Sequence, residues 1–126
     1  MKNSRNKGAV GEREIASILR EYGYKARRGQ QFSGANGDAD VVGVTGLHIE
    51  VKRREKLNIH EAMDQAVRDA RENEIPSVWH RRNNTQWLVT VRLDDFMTIF
   101  REYEAGLAEV WLGQSEQDAE EVHDDA

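Results

Sequence analysis

Cysteine is absent from the 126 residues, which excludes disulfides, thiolate chemistry and any zinc or iron–sulfur site held by Cys. Apolar runs extend only a few residues, too short to cross a bilayer as a helix. The amino-terminal stretch MKNSRNKGAVGEREI carries charge but lacks the apolar core of a secretory signal. These absences lead to the expectation of a soluble, cytoplasmic protein with no membrane partner. No internal repeat or linker stands out, and a chain of this length suits one domain better than two with separate cores.

What is present is charge, unevenly distributed. The net charge is −5, but six of the 23 acids fall in the last thirteen residues, QSEQDAEEVHDDA. Residues 1–113 therefore hold 17 acids against 18 Lys and Arg, and residues 1–31 hold eight basic groups against three acids. The amino-terminal excess is a candidate phosphate-facing surface, against the plainer reading of a solvated face. The expected organisation is a folded domain over 1–113 and a disordered acidic tail over 114–126.

Periodicity predicts the elements. Ile15, Ile18, Leu19 and Tyr22 recur at helical spacing over Lys7–Tyr22, with Gly23 as the stop. On that wheel Glu12 faces inward and Glu14 outward. Tyr24–Arg28 forms a short strand before the loop GQQFSGANG. The runs DVVGV (Asp40–Val44) and LHIEVKR (Leu47–Arg53) form a hairpin about Thr45-Gly46, the second run sending Leu47, Ile49 and Val51 to one face and His48, Glu50 and Lys52 to the other. Asn58 and Glu61 resemble a capping box before a helix with Ile59, Ala62, Met63, Ala66, Val67 and Ala70 on its apolar side. Strands at PSVWH and Thr85–Val91 follow, then a helix ending at Ala105-Gly106, with Leu107–Leu112 as an edge strand or docking arm. The order α-β-β-β-α-β-β-α predicts one mixed α/β domain.

The pattern that carries chemistry is Asp40, nine residues, then Glu50-Val51-Lys52, with Glu12 upstream. Phosphodiester hydrolysis needs a hard cation to polarise the phosphate, and Mg2+ takes oxygen ligands. Asp40, Glu50 and the Val51 carbonyl supply such ligands, and Lys52 lies roughly 6–7 Å beyond Glu50 on the same strand face, where an ammonium stabilises developing charge. An acid-x-Lys triplet is expected about once by chance in this composition. Its position inside an alternating β run, after an Asp that opens the preceding strand, is what gives it weight. The plainer alternative is a surface ion pair between Glu50 and Lys52. Asp38 shares the parity of Asp40 and competes with it, although a turn after Gly37 accounts for Asp38.

KGAVGEREIASILREYGY, RRGQQFSG, DVVG and IEVK, spanning roughly residues 7–54, resemble the PD-(D/E)xK nuclease superfamily, and within it the archaeal-type Holliday junction resolvases with their phage and bacterial relatives. The resemblance implies a restriction-endonuclease-like α/β domain with a central mixed sheet flanked by helices. It implies an active-site quartet of Glu12, Asp40, Glu50 and Lys52, with Mg2+ as cofactor and Mn2+ as its substitute. Ser33 corresponds to a serine of the mobile loop, and Arg27 or Arg28 to a basic group near the scissile phosphate. Gln65 matches a glutamine found after the ExK strand in some branches, against a solvated reading. The implied substrate is a four-way DNA junction, the implied assembly a homodimer, and the implied setting the nucleoid or a phage-infected cytoplasm, with no small-molecule cofactor.

Further DNA contacts are expected from Lys7, Arg13, Arg53, Arg81 and Arg82. The histidines have no mutual metal-ligand spacing and read as structural or surface groups, His48 alone sharing the Glu50 face. Trp79, Trp87, Trp111, Phe96 and Phe100 read as core or interface rather than base-stacking platforms. Two alternatives stay open: a repair or restriction-type nuclease acting on flaps, nicks or duplex, and a non-catalytic DNA-binding module.

Overall fold

The computed structural model describes residues 4–30 and 39–124, with side chains described over 8–30 and 39–113. It divides into two units, Met1–Arg92 and Leu93–Ala126. The first unit contains α1 (Ser4–Glu21), β1 (Arg27–Arg28), β2 (Val41–Val42), β3 (Leu47–Arg53), α2 (Ile59–Asp69), β4 (Ile75–Arg81) and β5 (Leu88–Val91). The strands form one sheet in the order β1-β2-β3-β4-β5. β3 and β4 are parallel and every other pair is antiparallel, so the sheet is mixed, as expected.

The alternation of β3 decides how the layers stack. Ile49 and Val51 join Ile15, Ala16 and Leu19 of α1 in one core, with Val41 and Ala26. Glu50 pairs in register with Val78, which packs against Ala62 and Ala66 of α2 in a second core. The two helices therefore cover opposite faces of the sheet. Complete burial of Ile15, Val41, Ile49 and Val78 contributes about 1.5–3 kcal/mol each. The β3 face that carries charge is not open surface, since α2 lies over it and leaves Glu50 only 3% exposed.

Two glycines permit the packing that sets the site. A Cβ on Gly11 would sit 3.2 Å from Arg53 Cβ and 3.3 Å from Val51 Cγ1, so α1 rests closely on the end of β3. Gly43 follows β2 at φ +108°, and a Cβ there would lie 2.2 Å from the Lys25 carbonyl oxygen. Asn58 caps α2 as the capping-box reading predicted, its Oδ1 accepting from the Glu61 N–H at 3.2 Å.

The element order matches expectation, but several boundaries move. β1 and β2 are two residues each, and β5 begins at Leu88 rather than Thr85. Tyr22, placed on the apolar face of α1, is 77% exposed. The largest correction concerns the second unit. α3 runs without a break over Leu93–Asp124, through Ala105-Gly106 where a stop was expected, and Leu107–Leu112 is helix rather than strand. A single Gly in a helix interior costs about 1 kcal/mol, and once a helix exists each further Ala, Glu or Gln extends it at little cost. The backbone of 114–124 is accordingly helical, where composition alone suggested disorder; residues 125 and 126 lie outside the described ones. Phe96 stacks on Phe100 with centroids 5.9 Å apart, and Leu93, Phe100, Tyr103, Leu107 and Trp111 are exposed along this helix.

Candidate active site

The polar centre of the first unit lies where β2 meets β3. Asp40 precedes β2, and the pairing of Val41 with Ile49 brings its carboxylate to the β3 backbone, where Oδ2 accepts from the Val51 N–H at 2.8 Å. Glu50 is gripped on both oxygens. Its Oε1 accepts from His48 Nε2 at 2.7 Å, and its Oε2 accepts from Gln65 Nε2 at 3.4 Å. Gln65 reaches across from α2 and accepts from Lys52 Nζ at 3.0 Å through its other amide atom. Asp40, Glu50, Lys52, Gln65 and His48 thus form one hydrogen-bonded cluster.

Its electrostatics are those of crowded carboxylates. Burial, followed by the negative charge of Glu50, pushes the Asp40 pKa up to about 7, against the opposing effect of the Val51 N–H. Glu50 is held below the ordinary carboxylate range: burial works against this, but hydrogen bonds from His48 and Asp40 and the charges of His48 and Lys52 prevail. For His48 burial favours the neutral ring, yet the Glu50 hydrogen bond and the charges of Glu50, Glu74 and Asp69 leave its pKa above the ordinary value. A hydrogen bond joins the two carboxyl groups, and burial favours the protonated form at Asp40. Two oxygen acids compressed in this way form a donor set that a hard cation relieves.

Glu12, on α1, is paired with an arginine. Its Oε2 accepts from Arg28 Nε at 2.8 Å. Its charge still adds to the upward shift of Asp40. Among the described residues, the group of three or more potential ligand side chains whose donor atoms all lie within 4.8 Å of one another is His48, Glu50 and Asp69; Glu12, Asp40 and Glu50 do not close to that distance. Glu14, expected to face solvent, is instead a hub. It pairs with Arg53 Nε at 3.4 Å and Arg81 Nη1 at 3.1 Å, and accepts from Trp87 Nε1 at 3.1 Å.

The basic residues divide accordingly. Arg53 and Arg81 are tied to Glu14, and Arg81 lies over the Trp87 ring, 5.7 Å from its centroid. Arg13, Arg27 and Arg82 are exposed. Lys7 lies on α1, its side chain outside the described ones, and Ser33 and Asp38 lie outside the described residues. Beside the cluster, a groove of about 560 Å³ is lined by Arg54, Lys56, His80, Arg81 and Arg82. Arg54 also lines the adjoining depression that contains Lys52 and Gln65.

Sequence reasoning set aside His48 for want of a metal-ligand spacing and left Gln65 undecided. The usable signal for His48 was its parity with Glu50, two residues along β3. For Gln65 it was its place on the flank of the α2 apolar face.

A protein-family model described as "Phage putative PDDEXK endonuclease" matches residues 3–124 of the chain. Among solved structures, the chain is similar to Hjc of Archaeoglobus fulgidus, a Holliday junction resolvase from an archaeal hyperthermophile. The identity is 28% with a TM-score of 0.51, over 68% of this chain and 72% of that one. No curated protein matches.

Proposed function

The chain belongs to the phage PDDEXK endonuclease family and is a nuclease, and we propose that it is a Mg2+-dependent, structure-selective DNA endonuclease that cuts four-way junctions as a homodimer. The observation that carries this reading is the convergence of Asp40, Glu50 and Lys52 in one partly buried polar cluster, with Asp40 pushed up to about 7. A carboxyl whose ionisation is opposed by burial and by a neighbouring carboxylate is relieved by a cation, and oxygen donors suit Mg2+ or Mn2+. Asp40, Glu50 and the Val51 carbonyl would hold the ion, with Glu12 supporting the site electrostatically. When bound, the ion polarises the phosphate and acidifies the attacking water.

The chain's own residues set the rest. The Val51 N–H fixes the Asp40 carboxylate, and Gln65 holds Lys52 and Glu50 in one orientation. The Lys52 ammonium stabilises charge that develops on the attacking and bridging oxygens. In-line displacement leaves a 5′-phosphate. Exposed Arg13, Arg27 and Arg82, with Arg28, Lys7 and Ser33, contact the phosphate backbone, so shape rather than base sequence is read. Arg53 and Arg81 enter this set only by leaving Glu14 or by sharing it. Symmetric resolution needs two incisions, and one site per chain then requires two copies; the exposed apolar residues of α3 support such self-association.

The near-neutral charge of residues 1–113 favours a second reading, in which the same site acts on flaps, nicks or duplex. Parallel digestion of four-way junctions, flaps and linear duplex separates the two. Preferential paired cutting of junctions is expected, and equal cutting of all three would reject junction selectivity.

A further inference from the structure

We infer that His48 is the positioning residue for Glu50, holding one carboxylate oxygen so that the other faces the cation; this rests on the reading of Glu50 as a metal-holding group. An ionised carboxylate only accepts, so the 2.7 Å contact requires the proton on His48 Nε2, donated to Glu50 Oε1. The ring is buried among acidic neighbours. It is 2% exposed, its Nδ1 faces Glu74 Oε1 at 3.9 Å, and the Asp69 carboxylate lies within 4.8 Å of the His48–Glu50 pair. The backbone is pinned as well, because Ser77 Oγ donates to the His48 carbonyl at 2.8 Å and accepts from Trp79 Nε1 at 3.0 Å.

In this arrangement Glu50 Oε1 is engaged by His48. Glu50 Oε2 has the long contact with Gln65, and Asp40 shares a hydrogen bond with the same carboxylate. The carboxylate is thus oriented before any ion arrives, and Glu74 and Asp69 fix the ring that orients it. Partners of metal ligands arranged in this way typically contribute 10–100-fold in metal affinity.

The test is calorimetric titration of the DNA-free, full-length protein with Mn2+, alongside thermal unfolding. His48→Leu is expected to weaken Mn2+ binding about 10–100-fold without changing the number of ions bound per chain, and His48→Gln, whose amide N–H reaches the same oxygen, to recover most of the loss. A purely structural His48 would lower thermal stability and leave Mn2+ affinity unmoved, and that result in folded His48→Leu overturns the inference. Loss of one bound ion per chain also overturns it, making His48 a ligand. If His48→Leu does not fold, the double variant Asp69→Asn/Glu74→Gln is expected to weaken binding in the same direction, and unchanged affinity overturns the proposal. A wild-type protein that binds no Mn2+ removes the underlying reading, and this inference with it.

Discussion

Burial and the charge of Glu50 raise the folded pKa of Asp40 from the ordinary 3.8 to about 7. Between these values the folded state binds more protons than the unfolded one, so stability falls as pH rises from about 4 through about 7. Glu50 works in the opposite sense: its lowered pKa stabilises the fold above the ordinary carboxylate range, and that contribution is lost on acidification. Replacing Asp40 by Asn should flatten the fall. Thermal unfolding in EDTA at pH 8 is expected to find Asp40→Asn more stable than wild type by about 1–3 kcal/mol. Mg2+ should then stabilise wild type, since it binds only the folded site, and leave the variant unmoved; a variant that gains as much from Mg2+ as wild type does would place the ion elsewhere. Lys52→Ala removes the ammonium that meets developing charge, and a loss of about 10²–10³ in kcat is expected with junction affinity retained in gel-shift measurements.

At the scale of elements, the hairpin and the first crossover helix explain why much of the site could be read in advance. Asp40 lies just before β2, and Glu50 and Lys52 lie on the neighbouring β3 after the short connection 43–46, so strand alternation places Glu50 and Lys52 on one face. β3 matches its expected bounds because seven alternating residues leave little freedom. His48 and Gln65 acquire their roles only when α2 closes over β3, and Glu14 becomes a hub only when α1, β3 and β4 meet. Strand parity and helix flank mark His48 and Gln65 as candidates, but only the packing of the elements gives them their partners. α3 illustrates the opposite error, since Gly106 was taken for a stop that the surrounding good helix formers override. Gly43 provides a test of the hairpin's approach to β1. Gly43→Ala forces a Cβ against backbone at Lys25 in a left-handed conformation, and chemical denaturation should show a loss on the order of 3 kcal/mol. A loss below about 1 kcal/mol would mean that β2 sits further from β1.

At the scale of the whole molecule, the carboxyl-terminal segment is acidic and the basic groups are concentrated near the start of the sequence. Self-association through α3 would bring two single-site units to one junction. Sedimentation of Phe100→Asp/Leu107→Asp should then show a monomer where wild type is a dimer, with paired incision reduced to nicking; a wild-type monomer would contradict that arrangement. Whatever the assembly, the account depends on the Asp40–Glu50–Lys52 cluster being the cutting centre. The direct measurement is cleavage of an end-labelled four-way junction by wild type and Glu50→Ala, with Mg2+ or with EDTA. The predicted result is incision by wild type with Mg2+ only, and none by Glu50→Ala despite undiminished junction binding. Cleavage by Glu50→Ala at the wild-type rate would contradict it.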